Sequence, residues 1–313
     1  IEHAVMTENY SSRKTSKLNV VNIQDFIEMK FPEREHILSP WLTTQGLAMI
    51  YAERGIGKTH ISLGIAYAVA SGGEFLKWKA PKARGVLFID GEMQGNVLQE
   101  RFKAIMNSSD NPPSAPLEII TPDIQEFGIP DLSTEEGQSK VNQFITEDIE
   151  LIIVDNLSTC ARSGRENEAE SWLPVQNWAL QLRAAGKAVL FIHHSGKEGQ
   201  QRGTSRREDV LDTVLNLKKP PFYNPEDGAN FEVHFKKNRS LHGNDVKAFQ
   251  AHLQTDDNEV QSWEISSLDD DKDEQIVSLI NQGLNQSAIA KKLGIDKSTV
   301  SRRIKNQDSP TVA

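Results

Sequence analysis

Between Gln45 and about Asp209 the chain alternates short, unbroken apolar runs with longer mixed segments. LAMIY, GVLFID, LEIIT, LIIVD and AVLFIHH alternate with KTHISLGIAYAVAS, NVLQERFKAIM, a polar stretch before Thr146 and the segment from Ser171 to Ala185. A strand apolar at nearly every position is buried on both faces, which is the situation of a parallel sheet covered by helices on either side. The pattern therefore predicts an α/β fold with a mainly parallel sheet. After Asp209 the runs VLDTVLNL, FEVHFKK, VKAFQAHLQ and VQSWEIS read as antiparallel strands that extend the same sheet at its edge. Up to about Pro40 the chain is polar and weakly periodic, with one amphipathic helix expected in IQDFIEMKF and ended by Pro32. Five segments result: an N-terminal arm over 1–39, the α/β domain over 40–267, an acidic linker over 268–274, a small all-helical unit over 275–307 and a tail over 308–313.

A length of 313 residues accommodates one large core and a small satellite. No apolar run approaches the roughly 18 residues of a membrane span, so no membrane is expected as a partner. The single cysteine, Cys160, excludes an intrachain disulfide framework, and IEHAVMTENYSSRK lacks the apolar core of a secretory signal, which fits a reducing cytoplasm. The absence of an initiator Met is consistent with a fragment of something longer, such as a primase-helicase. A net charge of -9 argues against indiscriminate nucleic-acid binding, but it averages an acidic cluster at Asp269 to Asp273 with a basic C-terminus.

The strongest chemical signal is AERGIGKT, where an apolar strand runs into a glycine-bearing turn and then a helix. Its amides, from Glu53, Arg54, Gly55, Ile56 and Gly57 through Lys58, Thr59 and His60, can curl around phosphate oxygens. Lys58 neutralises β/γ charge and the Thr59 hydroxyl holds Mg²⁺. Ala52 stands where the pattern GxxxxGK[ST] has its first glycine. A phosphate loop of this kind takes ATP as substrate and needs a second magnesium anchor, which Asp155 supplies at the end of LIIVDN. It also needs a group to polarise the attacking water. Glu92, after GVLFID, is the favoured general base and Asp90 the competing one.

Together the phosphate loop, FIDGE, LIIVDN and FIHHSGK resemble the RecA-like hexameric ATPases, in particular replicative helicases of the RepA type and their phage and mobile-element relatives, over roughly residues 40 to 265. The resemblance implies that Glu92 is the catalytic base and that Arg101, nine residues on, matches a family arginine. It also implies that a histidine of the pair His193 and His194 senses γ-phosphate. Adjacent strand residues point to opposite faces, so one of the two faces the nucleotide, and His194 is the choice. RGTS resembles the family's arginine-finger segment and maps it onto Arg202. FKKNRSLHG resembles the segment that inserts Lys237 and Arg239 into a neighbour's site. Cations supplied in trans, here Arg101, Arg202, Lys237 and Arg239, would make hydrolysis depend on assembly into a homo-oligomer, a hexamer by the resemblance. Loops bearing Arg162, Arg165 and Lys197 would face a central channel and track single-stranded DNA, although neither offers an aromatic for base stacking.

In IVSLINQGLNQSAIAKKLGIDKSTVSRRIKN a helix is followed by a short helix over Gln286 to Leu293, a turn at Gly294 and a third helix opening at Lys297, with Ile289, Leu293, Ile295, Val300 and Ile304 as a small core. This resembles a helix-turn-helix. Ser298, Thr299, Arg302, Arg303 and Lys305 are placed to meet duplex DNA in a major groove. Two functions remain open: a ring helicase replicating a plasmid, phage or integrated element, and an ATP-dependent, sequence-specific DNA-binding regulator or partition or recombination accessory ATPase that does not unwind.

Overall fold

The computed structural model describes residues 19–162, 169–195, 208–221, 223–224, 226 and 228–307, with the backbone alone at 169–171, 269–271, 274 and 305–307. Among the described residues, 19–33 form a unit of their own. Within it α1 (Ile23–Glu28) is capped by the Asn22 side chain, which accepts from the Asp25 N–H, and none of its residues is buried. The helix ends before Pro32, at Met29, whose backbone is extended. The second unit begins at Arg34 rather than at residue 40. The reason is β1 (His36–Leu38), which pairs with β2 (Leu42–Thr43) and buries Ile37 and Leu38 completely.

From β3 (Leu47–Ala52) the chain enters α2 (Lys58–Ser71), a small hairpin of β4 (Glu74–Phe75) and β5 (Trp78–Lys79), then β6 (Gly85–Asp90) and α3 (Gly95–Asn107). It continues through β7 (Leu117–Ile120), α4 (Glu135–Asn142), β8 (Ile149–Asp155), α5 (Leu157–Cys160), α6 (Ala169–Ala184), β9 (Ala188–His194) and β10 (Thr213–Lys218). The sheet is completed by β11 (Asn230–Asn238), β12 (Phe249–Thr255) and β13 (Gln261–Ser267), in the nine-stranded order β13-β12-β11-β10-β3-β9-β8-β6-β7. The α/β expectation holds, with the run from β10 to β7 parallel and β11 to β13 antiparallel. One strand differs from the sequence reading: β10 is parallel to β3 and opens the antiparallel edge by pairing with β11.

Alternation divides the apolar runs between two cores. Ile50, Phe88, Ile153 and Ile192 face α2 and α3 with Ile61, Ile65 and Phe102, whereas Met49, Ile89, Val154 and Phe191 face Trp172, Val175 and Trp178 of α6. Gly64 lets α2 approach the hairpin, since a Cβ there would lie 2.0 Å from the Phe75 ring. Trp178 is 1% exposed and donates its indole N–H to Asn142 Oδ1 at 2.8 Å. Trp178→Ala is expected to cost about 3–5 kcal/mol in urea unfolding, from the lost volume and the orphaned amide.

The acidic run expected as a linker is helical instead. The helix α7 (Leu268–Asn281) starts at the residue after β13 and runs through the acidic positions into a helical unit with α8 (Gln286–Leu293) and α9 (Lys297–Gln307). That unit buries Ile276, Leu279, Ile289, Leu293 and Val300, with Ile295 and Ile304 packed against them. Asn285 caps α8 by accepting from the Ala288 N–H at 3.0 Å, and Gly294 ends it in the left-handed region at φ 64°.

Candidate nucleotide site and nucleic-acid interface

The phosphate loop occupies the C-terminal end of β3, the central strand between β10 and β9, where the parallel sheet exposes its strand ends to one edge. Gly55 and Gly57 take φ values of 78° and 120°, so the loop needs glycine there. A Cβ on Gly57 would also stand 2.9 Å from that of Ala229. Lys58 opens α2 and folds its ammonium back onto the loop, donating to the carbonyls of Ala52 at 3.2 Å and Glu53 at 2.6 Å. Burial pulls Lys58 down to about 8, against the attraction of Asp155 and Glu92. It is thus a desolvated cation awaiting an anion. A cavity of ≈ 410 Å³ surrounds these groups.

Arg54, Thr59, His60, Asp90, Glu92, Asp155 and His194, from α2 and the ends of four strands, line the same cavity. Asp155, 5% exposed, accepts from Ser62 Oγ at 2.6 Å, and burial raises its carboxyl to about 6. The hydroxyl of Thr59 and the carboxylate of Asp155 are hard oxygen donors. They suit Mg²⁺, which keeps several waters and takes only one or two protein ligands beside substrate phosphates. Among the described residues no cluster of His, Cys, Asp and Glu competes as a metal site.

The two candidate bases separate on geometry. Asp90 is 1% exposed and its carboxylate is consumed by the Met93 N–H at 3.1 Å and the Thr121 hydroxyl at 3.2 Å. It braces the loop beneath the cavity. Glu92 has a side chain 55% exposed, held at one oxygen by Asn156 Nδ2 and approached by His194 Nε2 at 3.4 Å. Of the histidine pair, His194 lines the cavity and His193, in register with Tyr51, lies on the other face. Burial lowers His194, and it lowers His60 to about 4, so both rings are neutral near pH 7.

The remaining sequence-derived positions fall in several places. Arg101, expected to act in trans, lines its own chain's cavity from α3, where the Asp155 and Asp90 charges attract it and its Nη1 donates to Met93 Sδ at 3.6 Å. Lys237 and Arg239 do not touch this site. They donate to backbone carbonyls of Glu208 and Asp209 at the opposite edge of the sheet, where Lys237 pairs with Val214 at the start of β10. The Arg162 side chain donates to the Ile129 carbonyl at 2.6 Å rather than standing free. Arg165, Lys197 and Arg202 lie outside the described residues, as does the side chain of Lys305. On α9, Ser298 and Arg302 are exposed and Thr299 half-buried, but Arg303 turns inward to Asp273 of α7 at 2.9 Å, where it braces the helical unit.

Three residues went unread in the sequence. Ser62, one turn after Thr59, holds Asp155, and helical spacing in α2 carried that signal. Asn156 follows Asp155 in LIIVDN, and no motif assigns that position a role. Tyr223 lies in the loop between β10 and β11 and sets its hydroxyl 3.5 Å from the Gly55 carbonyl at the cavity rim. Nothing in periodicity marks a loop aromatic.

The AAA domain family matches residues 12–200, and a helix-turn-helix family matches residues 279–313. No match is found among curated proteins. Among solved structures, the KaiC-like protein of the hyperthermophilic archaeon Pyrococcus horikoshii OT3 superimposes with a TM-score of 0.51 at 11% identity. That alignment covers 73% of this chain and 93% of the other, a likeness of fold. With the phosphate loop, the buried strand-end acids and the parallel sheet in these positions, the chain belongs to the AAA domain family in its RecA-like form and carries a C-terminal helix-turn-helix.

Proposed function

We propose that the chain is an ATP-hydrolysing motor that works as a ring of identical subunits, a hexamer, around single-stranded DNA. In this reading it is a helicase in the replication of a plasmid, phage or other mobile element, acting in the cytoplasm, and its helix-turn-helix brings it to duplex DNA. Glu92 is the general base, Lys58 and Arg101 stabilise phosphoryl charge within the subunit, and Thr59 and Asp155 hold Mg²⁺. The observation that carries assembly is the position of Lys237 and Arg239. They sit at the opposite end of the sheet from their own phosphate loop and donate to the Glu208 and Asp209 carbonyls, so in this reading they serve a neighbouring copy's nucleotide rather than their own. Arg202 is the further cation proposed to act in trans. The channel-facing loops are those bearing Arg165 and Lys197.

Sizing with and without ATP and single-stranded DNA, together with strand displacement on a forked substrate, tests this reading. A ring-sized particle that displaces a strand is the expected result. A small particle that binds duplex DNA in an ATP-dependent way without displacing a strand supports the second reading, a DNA-binding regulator, which the helix-turn-helix favours. In either case Arg302→Ala, at an exposed position on α9, is expected to weaken duplex binding by about 5- to 100-fold while ATP affinity is unchanged. Fluorescence anisotropy with labelled duplex and labelled nucleotide reads both.

A further inference from the structure

Asn156 follows the magnesium anchor Asp155 directly, is 1% exposed and uses both ends of its amide. Its Oδ1 accepts from the backbone N–H groups of Ser158 at 3.0 Å and Thr159 at 3.2 Å, capping α5. Two donors on one side fix which end is the oxygen, so Nδ2 must point the other way. There it meets Glu92 Oε2 and, at 3.2 Å, His194 Nε2. His194 Nε2 also stands 3.4 Å from Glu92 Oε2, so amide, imidazole and carboxylate meet in one cluster. Glu92 is therefore anchored through one oxygen. Its other oxygen, Oε1, accepts no hydrogen bond among the described residues and belongs to a side chain open to the cavity.

We infer that Asn156 is the positioning residue of the proton acceptor: it holds Glu92 by Oε2 so that Oε1 faces the attacking water, and it ties that orientation to α5 through the same amide. A shift of α5 would re-aim Glu92 without moving the phosphate loop. This inference rests on Glu92 being the general base.

The test uses the full chain, with single-turnover hydrolysis and ATP affinity measured separately. Asn156→Ser keeps an oxygen to cap α5 but has no donor that reaches Glu92. The expected result is a hydrolysis rate about 10- to 100-fold lower, with ATP affinity within about twofold and an unchanged thermal midpoint. In a Glu92→Gln background the same change is expected to cost nothing further. Should the serine variant fail to fold, Asn156→Asp, which keeps the cap and the shape, is expected to show at least the same loss of rate. Full turnover by either folded variant beside an inactive Glu92→Gln overturns the positioning role alone, as does an equal loss in both backgrounds. Full turnover by Glu92→Gln itself overturns the base assignment, and the inference with it.

Discussion

Lys58→Ala is expected to lower ATP turnover by about 1000-fold or more, read as phosphate release at saturating nucleotide. The cavity explains the size of the effect. Its floor carries Asp90 and Asp155, and Glu92 stands at its side, so a polyphosphate entering it meets concentrated negative charge. Lys58 is the cation that burial has already desolvated and that the helix α2 presents at its first position. Bringing phosphate to it returns the ammonium toward its ordinary range and releases it from the Ala52 and Glu53 carbonyls. Alanine leaves those carbonyls facing the phosphates with no compensating charge. Arg54 and Arg101 also line the cavity, but neither donates a hydrogen bond to the loop carbonyls that Lys58 now occupies. Retained turnover would remove the phosphate loop from the chemistry altogether.

Glu92→Gln should behave differently, with the hydrolysis step slowed by about 100- to 10000-fold and ATP bound as tightly as before, so that nucleotide accumulates unhydrolysed on the protein. Glutamine has the same shape and can still meet Asn156 through its carbonyl oxygen, so binding geometry survives while the proton acceptor is lost. Quenched-flow hydrolysis beside equilibrium nucleotide binding separates the two. A parallel fall in affinity and rate would assign Glu92 to binding rather than to water activation.

The parallel sheet was legible because burial on both faces leaves no polar positions in a strand, and LIIVD and AVLFIHH show that directly. VLDTVLNL is broken by Asp212, Thr213 and Asn216 and so resembled the antiparallel runs after it, whereas β10 borders one strand of each kind. In the site, Lys58, Thr59, Glu92, Asp155 and His194 were legible from their places at strand ends and at a helix start. Arg101 could be picked out but not assigned to its own subunit, because sequence spacing along α3 does not say which cavity the helix overlooks. Arg303 carried the opposite error. A basic residue on a recognition helix looks like a DNA contact until the fold brings Asp273 beside it. The acidic run looked like a linker because charge density was read as solvation, although a carboxylate-rich first turn also suits a helix N-terminus.

That last feature has a mechanical side. Because α7 begins at the residue after β13, no loop stands between the sheet and the helices that carry the helix-turn-helix. The hydrogen-bonded path from the phosphate-loop strand runs outward through β10, β11 and β12 to β13, and the backbone of α7 follows directly. In the motor reading proposed above, a rotation of the sheet would reach α7 with no intervening loop peptide to absorb it.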